Sequence, residues 1–269
     1  MVSNQAAWSN PVRARLQAGQ PVFGVTITTP SVEAAAHAAS LGFHFLWVEM
    51  EHSPVTLETL RLVVLATRGL PAAVFARVPV IELWTAKRVL DQGVHGVIFP
   101  FTSTPEKAAL AAAACRYPPV GKRGSGAAAA IRTWPQSGSY PDSADREVMT
   151  ICVVEEASAV EQIDAIAATP GIDALFIGTS DLSFSLGLRG KQNEPALDRA
   201  IARIVEAAQR HGKFLGRPAG TPEVARRHIE QGFLLFQMPT EIGLMELGAR
   251  QLLEPFGISA VPLGHRALY

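Results

Sequence analysis

Short runs of β-branched and apolar residues alternate with longer stretches rich in Ala, Leu, Glu and Arg at helical spacing, and this alternation repeats eight times along the 269 residues. The runs fall near residues 22–28, 45–49, 73–78, 96–101, 150–155, 174–178, 214–217 and 234–238. The helical stretches that follow them fall near 31–40, 57–68, 82–91, 105–116, 158–168, 195–211, 222–231 and 242–253. A run with no polar face is a strand buried on both sides, and parallel neighbours need a helical crossover between them. Thr29-Pro30-Ser31, Thr104-Pro105 and Thr221-Pro222 open helices, and Gly42, Gly93, Gly212 and Gly232 close them. Eight such units in this length predict an α/β fold, a single (β/α)8 TIM barrel domain over residues 1–269, rather than an open doubly wound sheet. An amphipathic segment at 11–18 predicts an extra N-terminal helix that plugs the barrel bottom. The Pro-, Gly- and Ser-rich stretch 117–146 predicts a long loop or lid near one end of the barrel.

Charge narrows the partners. The 24 Lys and Arg balance 24 Asp and Glu, which argues against nucleic acid, since phosphate binding needs a basic surplus. The longest apolar runs, such as residues 60–66, fall far short of the ~18–20 residues that span a bilayer, so no membrane partner is expected. The polar start of the chain lacks the apolar stretch of a signal peptide. Cys115 and Cys152 make no disulfide framework or zinc pattern and read as buried thiols of a cytoplasmic protein.

In a barrel of this kind chemistry sits at the C-terminal ends of the strands. The charged residues falling there are Glu49, Glu51 and His52 after the second strand, Arg77 at the third, Glu155 and Glu156 at the fifth, Asp181 after the sixth and Arg217 at the seventh. Glu155 and Asp181 lie 26 residues apart, about one helix plus one strand, and so stand on neighbouring strand ends. Two such carboxylates repel unless a cation lies between them: either a hard divalent ion such as Mg²⁺ or Mn²⁺, or Arg77 and bridging waters. The turn Gly178-Thr179-Ser180-Asp181-Leu182-Ser183 offers backbone N–H groups and hydroxyls to a small carboxylate or phosphate, or supplies ordinary helix caps. His52, beside Glu49 and Glu51, is placed for general base work. None of the five lysines lies at a C-terminal strand end, so a Schiff-base mechanism lacks its nucleophile. No phosphate-binding glycine loop is present either, which leaves nucleotide cofactors unsupported.

Val48-Glu49-Met50-Glu51-His52, Arg77-Val78-Pro79, Leu90-Asp91-Gln92-Gly93, Arg116-Tyr117-Pro118-Pro119, Gly121-Lys122-Arg123-Gly124 and Phe176-Ile177-Gly178-Thr179-Ser180-Asp181-Leu182-Ser183 occur in register. Together they resemble the class II, metal-dependent pyruvate aldolases of the 4-hydroxy-2-oxoheptanedioate (2,4-dihydroxyhept-2-ene-1,7-dioic acid) aldolase family, over about residues 22–257. The resemblance implies a barrel whose last helix is exchanged between subunits of a homo-hexamer, a role in the breakdown of aromatic compounds, and a lyase that reversibly cleaves a 4-hydroxy-2-oxo acid to pyruvate and an aldehyde. It implies a divalent ion, Mg²⁺, Mn²⁺ or Co²⁺, on Glu155 and Asp181, with Arg77 at the keto oxygen. His52 would be the acid/base, Asp91 its partner carboxylate, and Gly178, Thr179 and Ser180 the seat of the pyruvate carboxylate. Three residues depart from the family pattern: Glu49 stands for Asp, Val153 for Gln and Arg217 for an apolar residue. Arg217 is therefore expected to face the substrate and bind an acidic acceptor. Two other readings remain at this point, a decarboxylase or carbon–carbon bond-forming enzyme that uses the same enolate, and a barrel that binds without catalysis.

Overall fold

Each of the eight apolar runs is a strand, and each strand hydrogen-bonds in parallel to the next until β8 returns to β1 and closes the barrel. The computed structural model describes residues 9–134 and 139–259. In chain order the elements begin with α1 (Pro11–Gln17), β1 (Val22–Ile27), α2 (Val32–Ser40), β2 (Phe45–Glu49), α3 (Leu57–Ala66), β3 (Ala73–Arg77), α4 (Leu83–Gln92) and β4 (Gly96–Phe99). Then come α5 (Pro105–Ala114), α6 (Ala128–Ile131), α7 (Tyr140–Glu147), β5 (Met149–Val154), α8 (Ala157–Glu161), α9 (Ile163–Ala168), β6 (Ala174–Ile177) and α10 (Thr179–Ser185). The chain continues through α11 (Pro195–Arg210), β7 (Phe214–Pro218), α12 (Pro222–Glu230), β8 (Leu235–Thr240) and α13 (Glu241–Leu253).

Strand alternation divides the apolar residues into two cores. Phe45, Trp47, Phe75, Ile151, Val153 and Phe176 fill the barrel interior, and Leu46, Val48, Val74, Cys152, Val154 and Ile177 pack outward against the helices. Val12 and Leu16 of α1 belong to the interior core, so the N-terminal helix closes the barrel from below as its sequence predicts. Asn10 caps that helix by accepting from Val12 N–H at 3.1 Å, and its amide donates to the carbonyls of His95 and Glu147, each at 3.0 Å.

The bottom rim follows one repeated rule. His44, His95 and Asp173 each stand one residue before an even-numbered strand. Each side chain turns to accept the N–H of a residue opening the preceding strand, His44 from Phe23 and His95 from Val74 at 3.1 Å, Asp173 from Thr150 at 2.8 Å. Strand ends leave unpaired N–H groups, and these part-buried side chains satisfy them. Asp173 also receives Arg13 from α1 at 2.8 Å.

Two expectations change. The 158–168 helix is two short ones broken at Gln162, whose amide donates to the Ser103 carbonyl at 3.4 Å. The 117–146 stretch, expected as a long loop or lid near one end, carries two short helices among its described residues and lies toward the bottom end: α6 packs on α4, Trp134 donates to the Gly93 carbonyl at 2.9 Å and stacks on His95, and α7 ends beside Asn10. Ala130 of α6 and the two aromatics Trp134 and Tyr140 bury their apolar area there. Among the described residues no helix is long and apolar enough to cross a membrane.

Candidate active site

The strand tops gather the charged residues that the strand interiors exclude. Glu49 is the last residue of β2 and pairs in register with Arg77, the last of β3. Its carboxylate is fully engaged. One oxygen accepts from the backbone N–H groups of Glu51 and His52 at 2.7 and 3.0 Å, the other from Trp47 Nε1 at 3.2 Å and Arg77 Nε at 2.6 Å. Glu49 thus shapes the turn after β2 and fixes the Arg77 guanidinium at the same time. The extra methylene of Glu over Asp is absorbed within this buried network, where Glu49 is 3% exposed.

Glu51, which the sequence reading left without a role, completes the cluster. It lies 3.0 Å from Arg77 Nη1 and 3.6 Å from His52 Nε2. Its Oε2 is buried and accepts no hydrogen bond, because the contact with Arg77 has ion-pair distance without hydrogen-bond geometry. Burial first, then the nearby Glu49 and Asp181 charges, push its pKa up to about 7 against the opposing pull of Arg77. Glu155 follows β5 and behaves alike, with burial the main cause and Glu51 and Asp181 adding to it, and its pKa reaches about 7. Its Oε1 accepts the N–H of Phe101 at 2.6 Å. Phe101 has φ +46°, a left-handed backbone unusual for a bulky residue, and that twist aims the amide at Glu155.

Arg77, Glu155, Asp181, Thr179 and Ser180 line a cavity together with Trp47, Val153, Phe176, Gly178, Pro218 and Gln237. Gly178 is required in its wall, since a Cβ there would fall 2.6 Å from Glu155 Oε2 and 2.8 Å from its Cβ. Thr179, Ser180 and Asp181 open α10, and no side chain caps it, so their N–H groups face the cavity end of the helix.

One guanidinium therefore faces Glu49, Glu51, Glu155 and Asp181, an excess of negative charge that a divalent cation would balance. Among the described residues no three His, Cys, Asp or Glu side chains form a ready-made metal cage. Glu155 and Asp181 offer two carboxylates, which suits an ion such as Mg²⁺ that takes its remaining oxygens from substrate and water. The donor set fits that use.

Two expected site residues lie elsewhere. Arg217 points out of the barrel, because Gly216 and Pro218 occupy the inward positions of β7 and alternation turns Arg217 toward the helices. Its guanidinium sits 3.4 Å from His228 of α12 and 5.2 Å from the Phe233 ring, and burial lowers its pKa to about 10. The expectation that it meets an acidic acceptor is thereby corrected. Asp91, near the end of α4, does not reach His52. Its ion pair is with Arg123 at 3.7 Å, under the tyrosines Tyr117 and Tyr140 that cover that guanidinium at 4.6 and 5.5 Å. The carboxylate beside His52 in this chain is Glu51.

The chain is 33% identical over 255 residues to a hydroxypyruvate/pyruvate aldolase of Paraburkholderia phytofirmans, covering 93% of this chain and 98% of that one. It is 31% identical over 253 residues to a 5-keto-4-deoxy-D-glucarate aldolase of Escherichia coli, covering 94% and 99%. Among solved structures it superposes with a TM-score of 0.85 and 32% identity on an aldolase/citrate lyase family protein from Burkholderia cenocepacia, over 93% of this chain and all of that one. Residues 26–245 match the family described as HpcH/HpaI aldolase/citrate lyase, and that span runs from the end of β1 through β8 with every strand-top residue described above. With the closed barrel, the carboxylate pair and the paired arginine in place, the chain belongs to the HpcH/HpaI aldolase/citrate lyase family.

Proposed function

We propose that the protein is a divalent-metal-dependent lyase that cleaves a 4-hydroxy-2-oxo acid to pyruvate and an aldehyde, or joins the two. The observation that carries this reading is the Glu155–Asp181 carboxylate pair beside Arg77, at the mouth of one small cavity. Glu155 and Asp181 would hold the ion, which supplies a Lewis acid that polarises a 2-oxo group and acidifies the carbon next to it. Arg77, locked by Glu49 and Glu51, directs fixed N–H donors at the same developing negative charge. The uncapped start of α10 from Gly178 through Thr179 and Ser180 receives the substrate carboxylate. His52, whose side chain is 43% exposed at the rim, moves a proton to or from the acceptor oxygen, with Glu51 rather than Asp91 as its neighbouring carboxylate. No step requires a nucleophilic lysine, and Lys213 is tied to the carbonyls of Thr169 and Ile172 at the bottom rim.

The deciding experiment is pyruvate release from a 4-hydroxy-2-oxo acid by metal-stripped protein, with Mg²⁺, Mn²⁺ or Co²⁺ restored. Metal-restored release is the expected result. Decarboxylation of oxaloacetate alone would move the protein to a different use of the same site, and inactivity on both would defeat the reading.

The same reading includes a cytoplasmic homo-oligomer with exchanged last helices. None of α13 is buried, and Met245, Leu247 and Leu252 are 71%, 53% and 71% exposed. Meanwhile Phe43, Ile229 and Met238 line an open groove between α2 and α12, where an eighth covering helix belongs. A second copy's α13 in that groove would cover both surfaces. Light scattering is expected to give a multiple of the 28.7 kDa chain that falls when Met245 and Leu252 are changed to Asp.

A further inference from the structure

Among the described residues, Phe101 and Arg189 are the two that take a left-handed backbone without being glycine, and Phe101 is the one whose N–H meets a site carboxylate. Strain of this kind persists only where the surroundings over-determine it. The next residue, Thr102, is fully buried, with its N–H donating to the Val153 carbonyl at 3.1 Å and its hydroxyl to the Phe99 carbonyl at 3.2 Å. The Phe101 carbonyl accepts from Lys107 Nζ of α5 at 3.0 Å and lies 2.9 Å from Ser103 Oγ. What these contacts fix is the direction of one N–H, which donates to Glu155 Oε1 at 2.6 Å. Glu155 Oε2 lies over Gly178, in space that a side chain there would take. The carboxylate is thus located at both ends, by a donor on one oxygen and by bare backbone beside the other.

We infer that the Phe101 peptide, held by Lys107, is a positioning group for Glu155: it fixes the rotation of that carboxylate before a divalent ion arrives, so the ion affinity of the site depends on the left-handed backbone at 101 and not on the aromatic ring. A free carboxylate gives up rotational freedom when it binds an ion, and one already held by a hydrogen bond has less to give up. This inference rests on the reading above that Glu155 and Asp181 hold the ion. The competing account is packing: the turn would be built to place the Phe101 ring, which is 37% exposed, and the N–H contact would be a by-product.

Titration of metal-stripped protein with Mn²⁺ in the absence of substrate, with free Mn²⁺ counted by electron paramagnetic resonance, separates the two accounts. Glycine and asparagine accept a left-handed backbone and a β-branched residue resists it, while all three lack the ring. Phe101→Val is expected to weaken Mn²⁺ binding about tenfold or more, and Phe101→Gly and Phe101→Asn to stay within about twofold of wild type. If the valine variant does not fold, Phe101→Ala against Phe101→Gly makes the same comparison. Lys107→Met, on the exposed face of α5, is expected to weaken binding about threefold although it removes a positive charge, whereas a lysine acting only through its charge would repel the ion and its loss would tighten binding. Wild-type affinity in Phe101→Val, equal losses in the valine, glycine and asparagine variants, or tighter binding in Lys107→Met overturns the inference and leaves the metal reading standing. A wild-type protein that binds no Mn²⁺ defeats that reading and the inference with it.

Discussion

The two ends of the barrel are built from similar polar residues used in opposite ways. At the bottom, His44, His95 and Asp173 turn back to accept strand N–H groups, and Asn10 joins α1 to the rim through His95 and Glu147. At the top, Glu51 and Glu155 crowd against one another and Asp181 with one arginine between them, and their pKa values rise to about 7. The bottom satisfies backbone and stabilises the fold; the top keeps charges close together at a cost in stability, leaving them free to bind. Conserving energy at one end while straining the other is what a rigid scaffold for a reactive site requires.

Glu155→Gln should break this contrast most strongly. The amide oxygen can still accept from Phe101 N–H, so the local backbone is retained. On the proposed function, pyruvate release should fall by about 10²–10³-fold or more, because a proposed ligand of the cation is gone. The metal-free variant should nevertheless melt above wild type at pH 8, since a buried carboxylate crowded by Glu51 and Asp181 has been removed. A drop in melting temperature together with full activity would show that the top of the barrel is a structural ion network.

Asn10→Ala tests the other end. It removes the cap on Val12 N–H and two amide donations to the His95 and Glu147 carbonyls. The expected loss is about 2–4 kcal/mol in urea unfolding, with kcat of the folded protein unchanged. A change in kcat at constant stability would couple the bottom rim to the site and erase the division of labour.

Titration gives the next effect, opposite in sign at the two ends. His95 is buried neutral with its pKa lowered to about 4 by desolvation, so between pH 6.5 and 4 the unfolded chain binds a proton that the folded one does not. The bottom therefore loses stability as pH falls through that window. Glu155 and Glu51 hold protons up to about pH 7 in the folded state and only to about 4.5 when unfolded. The top therefore loses stability as pH rises from 4.5 to 7. Melting of metal-free wild type should fall as pH rises from 4.5 to 6.5, where two carboxylates oppose one histidine, and Glu155→Gln should flatten that slope. Mg²⁺ should raise the melting temperature more at pH 8 than at pH 6, because the carboxylates proposed to hold it must shed their protons.

Much of this was legible in the chain, and the exceptions have physical causes. All eight strands follow from apolar runs with capped helices between them, since burial on both faces leaves no other pattern. Glu155, Asp181 and Arg77 stand together at the strand tops as their strand-end positions imply. Trp47, two residues before Glu49, and Gln237, two after Leu235, share the inward face of their strands and were accessible to the same period-two reading. The left-handed Phe101 carries no signal, because no glycine or asparagine marks the turn. Asp91 was assigned from resemblance to a pairing that depends on how distant segments fold, and the 120s segment brought Arg123 to it instead. In β7 both faces are apolar or buried, so nothing in Phe214-Leu215-Gly216-Arg217-Pro218 says which parity faces inward.

Arg217 gives the smallest and most selective test. Its guanidinium lies over Phe233 and beside His228, in the layer between β7 and the helices, where Asp198 adds only a favourable charge. Its Nε is buried without a partner, so the cation is poorly compensated where it stands. Arg217→Met keeps the unbranched stem and removes the charge, and its effect on stability should stay within about 1 kcal/mol of wild type. The ratio of activity on acidic and neutral acceptor aldehydes should not move, because the side chain is on the far side of the strand from Gly216 and Pro218. A selective loss with acidic aldehydes would place the guanidinium in the cavity after all, and with it a positive charge at the end of the barrel that now holds an excess of negative ones.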